Sequence, residues 1–325
     1  MIQSLPGPAW LLWAGALFVG LAILVKASDW FTDAAVRIGH AFGMPGFLIG
    51  ATIIALGTSL PELVSSLVAV LQNAPEIVAG NVIGSNIANL LLVLGLTGVV
   101  TDRLRIAHDV LSVDLPFLLG SALFLSLIAW NGLITRGEAL LALAGFAIFF
   151  GYALTRDTSD DETKPGERVI EDVAENASTI VLAGSLIAAA ALVYLSAHLT
   201  IEAVVAMAEI IGIGTETIAA SAVALGTSLP EVAVTLTAVR QGRAELAIGN
   251  ILGSNIFNSF AVIGVVGLIE PLMISAELIV FALPMMMVAS VIAVLAIMEQ
   301  ELTNWEGWLL LLFYIFFLGS LFGFL

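Results

Sequence analysis

The stretch ALGTSLPE at residues 55–62 returns unchanged at residues 224–231. A second motif follows each copy, reading GNVIGSNIAN at residues 80–89 and GNILGSNIFN at residues 249–258. Gly57 and Gly226 are 169 residues apart, as are Gly80 and Gly249, and 20 of the 35 residues from 55 to 89 match their counterparts without a gap. Self-similarity of this kind indicates that the chain contains two copies of one unit.

The composition places both copies in a lipid bilayer. Of the 325 residues, 60% are hydrophobic and 11% are charged, and the mean hydropathy is +1.09, whereas about a quarter of a soluble domain is charged. Because a membrane span needs about 20 mostly apolar residues, the sequence predicts an all-α integral membrane protein with ten transmembrane helices. These spans are residues 9–28, 43–71, 77–100, 111–130, 137–155, 179–198, 212–239, 246–269, 278–298 and 305–324.

Each copy contains five predicted spans. Because five is odd, the second copy enters the membrane from the opposite side, so the sequence predicts two inverted five-helix repeats at residues 1–155 and 178–325. Residues 156–177 between them carry eight acidic and three basic residues of a chain with net charge −16, and we expect a solvated linker there. Inverted repeats are typical of secondary transporters, whose substrate sites lie near the membrane midplane.

The basic residues predict the orientation, because cytoplasmic loops are enriched in lysine and arginine. With the N-terminus outside, only Arg136 faces the exterior. The cytoplasmic side then receives Lys26, Arg37, Arg103, Arg105, Arg156, Lys164, Arg168, Arg240 and Arg243. We therefore expect both termini outside the cell and the acidic linker in the cytoplasm, with the first span retained as a helix. The absence of cysteine excludes disulfides and thiolate metal sites.

Glu62 and Glu231 lie inside apolar spans, where a charged residue costs about 2.5–3.5 kcal/mol or more. The span interiors hold no lysine or arginine that could pair with them. A bound cation explains both glutamates, while protonated, hydrogen-bonded carboxyl groups remain an alternative. Pro61 is expected to interrupt its helix near Gly57 and free nearby carbonyl oxygens.

Hydroxyl and amide side chains accompany the glutamates. Ser85 and Asn89 are four residues apart and share a helical face, as do Ser254 and Asn258. All these groups offer oxygen, which favours Ca²⁺, Na⁺ or Mg²⁺ over softer metals, although hydrogen bonds between helices are an alternative role. The glycines at the same spacing, namely Gly80, Gly84, Gly249 and Gly253, predict a seam where a neighbouring helix approaches closely.

The paired GTSLPE and GSNIxN motifs resemble the alpha repeats of the calcium/cation antiporter superfamily, and specifically its prokaryotic sodium/calcium exchangers. The resemblance implies that the second, third, seventh and eighth helices hold four cation sites, one of them for calcium. It assigns calcium to Glu62, Glu231 and the carbonyls of Thr58 and Thr227. It assigns sodium to Ser59, Ser85, Ser228, Ser254 and the carbonyls of Ala55 and Ala224, with Asn89 and Asn258 completing the centre.

The resemblance implies an antiporter that exchanges Ca²⁺ for Na⁺, three sodium ions per calcium ion, across the cytoplasmic membrane by alternating access. A calcium/proton or potassium-dependent exchanger of the same fold is the alternative, and Asn258, where an archaeal exchanger of the family has aspartate, leaves the stoichiometry open. An intramembrane hydrolase is disfavoured, because the chain has no HExxH motif and no nucleophile with an evident base. A passive channel is also conceivable. We expect no enzymatic activity, no cofactor beyond the transported Ca²⁺ and Na⁺, no nucleic acid and no obligate protein partner.

Overall fold

The computed structural model describes residues 7–101, 103–106, 113–155, 179–211 and 228–321. Within these ranges the chain forms ten helices, four of which contain a π-helical turn. The helices are α1 (Gly7–Ala41); α2 (Gly46–Ile49, π-helical Gly50–Ile54, Ala55–Leu71); α3 (Glu76–Ala88, π-helical Asn89–Val93, Leu94–Val100); α4 (Asp114–Ala129); α5 (Arg136–Thr155); α6 (Thr179–Ile211); α7 (Leu229–Arg240); α8 (Ala244–Phe257, π-helical Asn258–Val262, Ile263–Ile269); α9 (π-helical Leu278–Ala282, Leu283–Ile297); and α10 (Asn304–Leu321).

Eight of these helices are long and apolar enough to cross a membrane, and α4 is a shorter apolar helix. The chain is therefore an all-α membrane protein, as predicted. The predicted span 212–239 is described only from residue 228, where α7 follows, and the acidic linker 156–177 lies outside the described residues. The most deeply buried of the long apolar helices are α3 and α8, which places both copies of the GSNIxN motif in the protein interior.

Two helices are longer than predicted. The apolar spans 9–28 and 179–198 belong to α1 and α6, which continue to Ala41 and Ile211. At a rise of about 1.5 Å per residue, the 35 residues of α1 make a helix of about 50 Å, well beyond the hydrocarbon thickness of about 30 Å. The two helices pack along each other, and the Trp30 Nε1 atom donates a hydrogen bond to Ser185 Oγ at 2.8 Å. Mutual packing extends both helices past the end of their apolar runs.

The expected interruption at Pro61 is wrong. The helical segment Ala55–Leu71 runs through Pro61, and the missing proline N–H leaves the carbonyl of Gly57 without its helical donor. The departure from α-helical geometry lies earlier, in the π-helical turn Gly50–Ile54. In the second copy, Pro230 occupies the first turn of α7, where a proline costs no helical hydrogen bond. The two prolines, Pro61 and Pro230, thus occupy different positions in the helices that the structure describes.

Two short antiparallel strand pairs connect the two halves of the chain. Strand β1 (Arg103–Arg105) pairs with β4 (Glu301–Thr303), and Leu104 lies opposite Leu302. Strand β2 (Leu133–Ile134) pairs with β3 (Leu272–Met273), and Leu133 lies opposite Met273. The helix packing follows the same pattern, because the end of α3 packs on α10 and the end of α8 packs on α5.

The predicted glycine seam is confirmed in the second copy. A Cβ atom at Gly249 would overlap the carbonyl oxygen of Phe47, and one at Gly253 would overlap the carbonyl oxygen of Ala51. Helix α8 therefore crosses the start of α2 in backbone contact, as small residues permit. Among the described residues, a Cβ at Gly80 would meet only Leu278 Cδ1 at 3.9 Å, and one at Gly84 would meet nothing within 4 Å.

Candidate functional site

Helices α2, α3, α7 and α8 contact one another in the protein interior and carry the described candidate ligands. Every one of these residues is at most 2% exposed. They are Ala55, Thr58, Ser59, Glu62, Ser85, Asn89, Ser228, Glu231, Ser254 and Asn258. The other two predicted ligands, Ala224 and Thr227, lie outside the described residues.

The two carboxylates lie among hydroxyl groups from both halves of the chain. Ser85 Oγ donates to Glu62 Oε1 at 3.4 Å within the first half. Ser59 Oγ donates to Glu231 Oε1 at 3.2 Å and thereby joins the first motif to the second. The Thr58 and Ser254 hydroxyl oxygens are 3.4 Å apart across the same boundary. The predicted ligands of the two copies are therefore brought together at the junction of the halves.

Several polar atoms at this junction are buried without a hydrogen-bond partner among the described residues. They are Glu231 Oε2, Ser228 Oγ and both amide atoms of Asn89 and of Asn258. Leaving a buried polar group unsatisfied costs about 1–3 kcal/mol. The oxygens among these atoms are the type of ligand that hard cations such as Ca²⁺ prefer, so a cation bound here would satisfy them.

The two predicted ligand asparagines lie at local helix irregularities that the sequence did not predict. Asn89 and Asn258 are each the first residue of a π-helical turn, at Asn89–Val93 and Asn258–Val262. Such turns are rare and are often found at functional sites. Their presence at the same residue of both copies shows that the local irregularity belongs to the repeated unit.

Sequence reasoning also missed Asn81 and Asn250, the first asparagine of each GN motif. Asn250 Nδ2 donates to Thr235 Oγ1 at 2.9 Å, and its Oδ1 accepts a hydrogen bond from Thr58 Oγ1 at 3.1 Å. Asn81 Nδ2 lies 3.2 Å from Ser66 Oγ. Their position supplied a usable signal, because each lies four residues before a predicted ligand serine and on the same helical face.

Further contacts of Asn81 reach the backbone beside the carboxylate. Its Nδ2 atom lies 3.4 Å from the carbonyl oxygen of Glu62 and 3.2 Å from Ser65 Oγ. The next asparagine of the motif, Asn86, donates from Nδ2 to Ser259 Oγ at 2.8 Å. This last bond is another link between the two halves of the chain.

Within the described part of the chain, no three histidine, cysteine, aspartate or glutamate side chains group where they could hold a metal. The two carboxylates of the candidate site are accompanied by neutral hydroxyl and amide groups.

Known proteins resemble this chain over nearly its whole length. The profile of the sodium/calcium exchanger protein family matches residues 12–155 and again residues 181–323. The sodium/calcium exchanger MaX1 of Methanosarcina acetivorans is 33% identical over 94% of this chain and 97% of its own length. The inner membrane protein YrbG of Escherichia coli is 33% identical over 80% of this chain and 81% of its own.

A solved structure supports the same assignment. The sodium-calcium exchanger NCX_Mj, soaked with 10 mM Na⁺ and no Ca²⁺, superimposes with a TM-score of 0.81 at 29% identity, covering 96% of this chain and 99% of that one. Two of these three proteins, MaX1 and NCX_Mj, are sodium/calcium exchangers. The chain therefore belongs to the sodium/calcium exchanger protein family and is a membrane exchanger of calcium and other cations.

Proposed function

We propose that this protein exchanges Ca²⁺ for Na⁺ across the cytoplasmic membrane by alternating access. The observation that carries the proposal is the joint placement of Glu62 and Glu231, both buried, among hydroxyls from both halves of the chain. Two ionised carboxylates give the empty site a charge of about −2, which one Ca²⁺ neutralises. Calcium takes about 6–8 oxygen ligands, and the surrounding side chains and carbonyls are of the required type.

The proposed ligands follow the two motifs. Calcium is bound by Glu62, Glu231 and the carbonyls of Thr58 and Thr227. Sodium uses the serine hydroxyls and the carbonyls of Ala55 and Ala224, while Asn89 and Asn258 complete the centre; the serines are Ser59, Ser85, Ser228 and Ser254. The ions are cargo, so this mechanism requires no resident cofactor and no protein partner.

The proposed architecture is a pair of inverted five-helix repeats with both termini outside the cell. Two observations support this architecture. The pairing of β1 with β4 corresponds to the pairing of β3 with β2, and the packing of α3 on α10 corresponds to the packing of α8 on α5. In the proposed arrangement, Glu62 and Glu231 would lie on either side of one two-fold axis. Rocking one repeat against the other would expose the shared site to each side in turn.

Sodium is favoured over protons as the counter-ion because neutral oxygens are duplicated around the glutamates. A proton carrier needs only the carboxylates, whereas a dehydrated Na⁺ needs several oxygen ligands. Thr58, Ser59, Ser85 and Ser254 supply hydroxyls that lie at 3.1–3.4 Å from other site groups.

The test is calcium uptake by three preparations of proteoliposomes, loaded with Na⁺, with K⁺ or with acidic buffer. Each preparation is diluted into a medium that contains little of the loaded ion, so that the gradient of this ion points outward. We expect uptake only from the sodium-loaded vesicles. Uptake driven by the pH gradient alone would identify a calcium/proton exchanger. Uptake by sodium-loaded vesicles only when K⁺ is added to the outer medium would identify a potassium-dependent one. Calcium entry without any counter-ion gradient would indicate a channel.

A further inference from the structure

Each half of the protein carries a row of polar residues on the helix that follows its glutamate. On α3 the row is Asn81, Ser85 and Asn89, at intervals of four residues that keep one helical face. On α8 it is Asn250, Ser254 and Asn258. The serine and the second asparagine of each row are predicted ion ligands, whereas the first asparagine has no such role.

The first asparagine of each row makes the same contact in both halves. Asn81 Nδ2 lies 3.2 Å from Ser66 Oγ, and Asn250 Nδ2 lies 2.9 Å from Thr235 Oγ1. Ser66 and Thr235 each lie four residues after a motif glutamate, so they are one turn beyond Glu62 and Glu231 on the same face. All four hydrogen-bonding residues are less than 9% exposed.

We propose that Asn81 and Asn250 are positioning residues that hold each glutamate-bearing helix in register with the helix that carries the serine and asparagine ligands. The inference rests on the proposed cation site and assigns it two further residues. Asn81 fixes α2 against α3, one turn away from the contact between Ser85 and Glu62. Asn250 does the same for α7 and α8.

Asn250 also connects the two halves. Its Nδ2 atom donates to Thr235 on α7, while its Oδ1 atom accepts from Thr58 on α2. One amide therefore joins three helices, and it does so beside Thr58, whose carbonyl is a proposed calcium ligand. Residues that orient metal ligands from behind typically contribute about 10–100-fold to metal affinity.

Thr235→Val tests the proposal with the least disturbance, because valine keeps the shape of threonine and removes only the hydroxyl that Asn250 contacts. We expect the calcium concentration for half-maximal binding and transport to rise at least about tenfold in Thr235→Val and in Asn250→Ala. The double variant should need no more calcium for half-maximal binding than Asn250→Ala alone, because both changes break the same contact. Thr235→Ser, which keeps the hydroxyl, should retain the wild-type affinity.

Thr97→Val is the matched control. It removes a buried hydroxyl that donates to the carbonyl of Val93 in its own helix, and we expect wild-type affinity. Half-saturation is measured by equilibrium binding of radioactive calcium to purified, folded protein and by exchange in proteoliposomes. A structural role alone would lower the maximal rate and the melting temperature at unchanged half-saturation.

Wild-type calcium affinity in folded Thr235→Val and Asn250→Ala would overturn the proposal. It would also be overturned if the affinity losses of the two single variants added in the double variant. A wild-type protein that binds no calcium would instead overturn the cation site itself. The two failures are therefore distinguishable.

Discussion

Glu62 and Glu231 are the residues on which the site depends, because they are its only predicted anionic ligands. Both are fully buried, and burial of an ionised carboxylate is tolerated only when it is compensated by partners or a bound metal. Hydroxyls supply part of that compensation, and a bound cation would supply the rest. Removing either carboxylate charge therefore changes the net charge of the proposed site without requiring a change of fold.

Glu62→Gln and Glu231→Gln should each abolish exchange and leave a folded, membrane-inserted protein. Glutamine keeps the size and hydrogen-bonding capacity of glutamate but removes one of the two negative charges. The measurement is sodium-driven calcium uptake, with monodispersity in detergent as the test of folding. Near wild-type uptake by either variant would show that the carboxylate is not a ligand.

The sequence indicated the candidate carboxylates and hydroxyls, but not the amide contacts that lie beside them in the structure. The glutamates were found because a carboxylate in an apolar span needs an explanation, and the duplicated motif indicated which oxygens lie near it. Asn81 and Asn250 were missed although each lies four residues before a predicted ligand serine, because the spacing alone does not reveal which side chains they contact. The contact of Ser59 with Glu231 joins positions 172 residues apart, a distance that no local pattern encodes.

At the level of helices, the repeated motifs predicted the elements but not their irregularities. The π-helical turns at Asn89–Val93 and Asn258–Val262 have no recognised sequence signature. Pro61 was expected to break α2, yet the chain tolerates it within a helix and places the irregularity at Gly50–Ile54. Proline is tolerated in membrane helices where neighbouring groups can satisfy the freed backbone, and a single sequence does not reveal those neighbours.

Gly249→Ala and Gly253→Ala should both destabilise the protein, because the added methyl group overlaps the backbone of α2 at Phe47 and Ala51. Overpacking of this kind costs about 1–3 kcal/mol. We expect a lower melting temperature in detergent for both variants. Gly120→Ala is the control, since a Cβ there meets nothing within 4 Å among the described residues. A melting temperature as high as that of the control would contradict the backbone contact.

At the level of the whole molecule, the charge carried across the membrane follows from the count of ligands. With Asn89 and Asn258 neutral and both glutamates ionised, the site with the three Na⁺ that the family resemblance implies would carry about +1, while the site with one Ca²⁺ would be neutral. The cycle should then be electrogenic, moving one charge at about 2.3 kcal/mol per 100 mV. An inside-negative potential would favour sodium entry and calcium export.

The measurement is the current and the calcium flux of proteoliposomes under a sodium gradient, with and without a potassium-valinomycin clamp. We expect a current that accompanies calcium flux and a flux that responds to the clamp. Electrically silent flux would mean that the third sodium ion is absent, and Asn258 would be the first position to examine.

Shortening the acidic linker within residues 157–175 should leave transport largely intact, because the segment contributes no predicted span. The net charge of the chain becomes less negative, but the ligands are unchanged. Sodium-driven calcium uptake per inserted molecule tests this expectation. Loss of uptake with normal insertion would assign a regulatory role to the linker.

The two strand pairs have a consequence for the order in which the protein is made. Strand β1 at Arg103–Arg105 pairs with β4 at Glu301–Thr303, so almost 200 further residues, about three fifths of the chain, must be synthesised before the partner of β1 leaves the ribosome. Contacts between distant parts of a chain form late in folding. The first half therefore spends most of translation in the membrane with its future interface uncovered, and a nascent chain that stops before residue 301 should be recognised by the cell as unfinished.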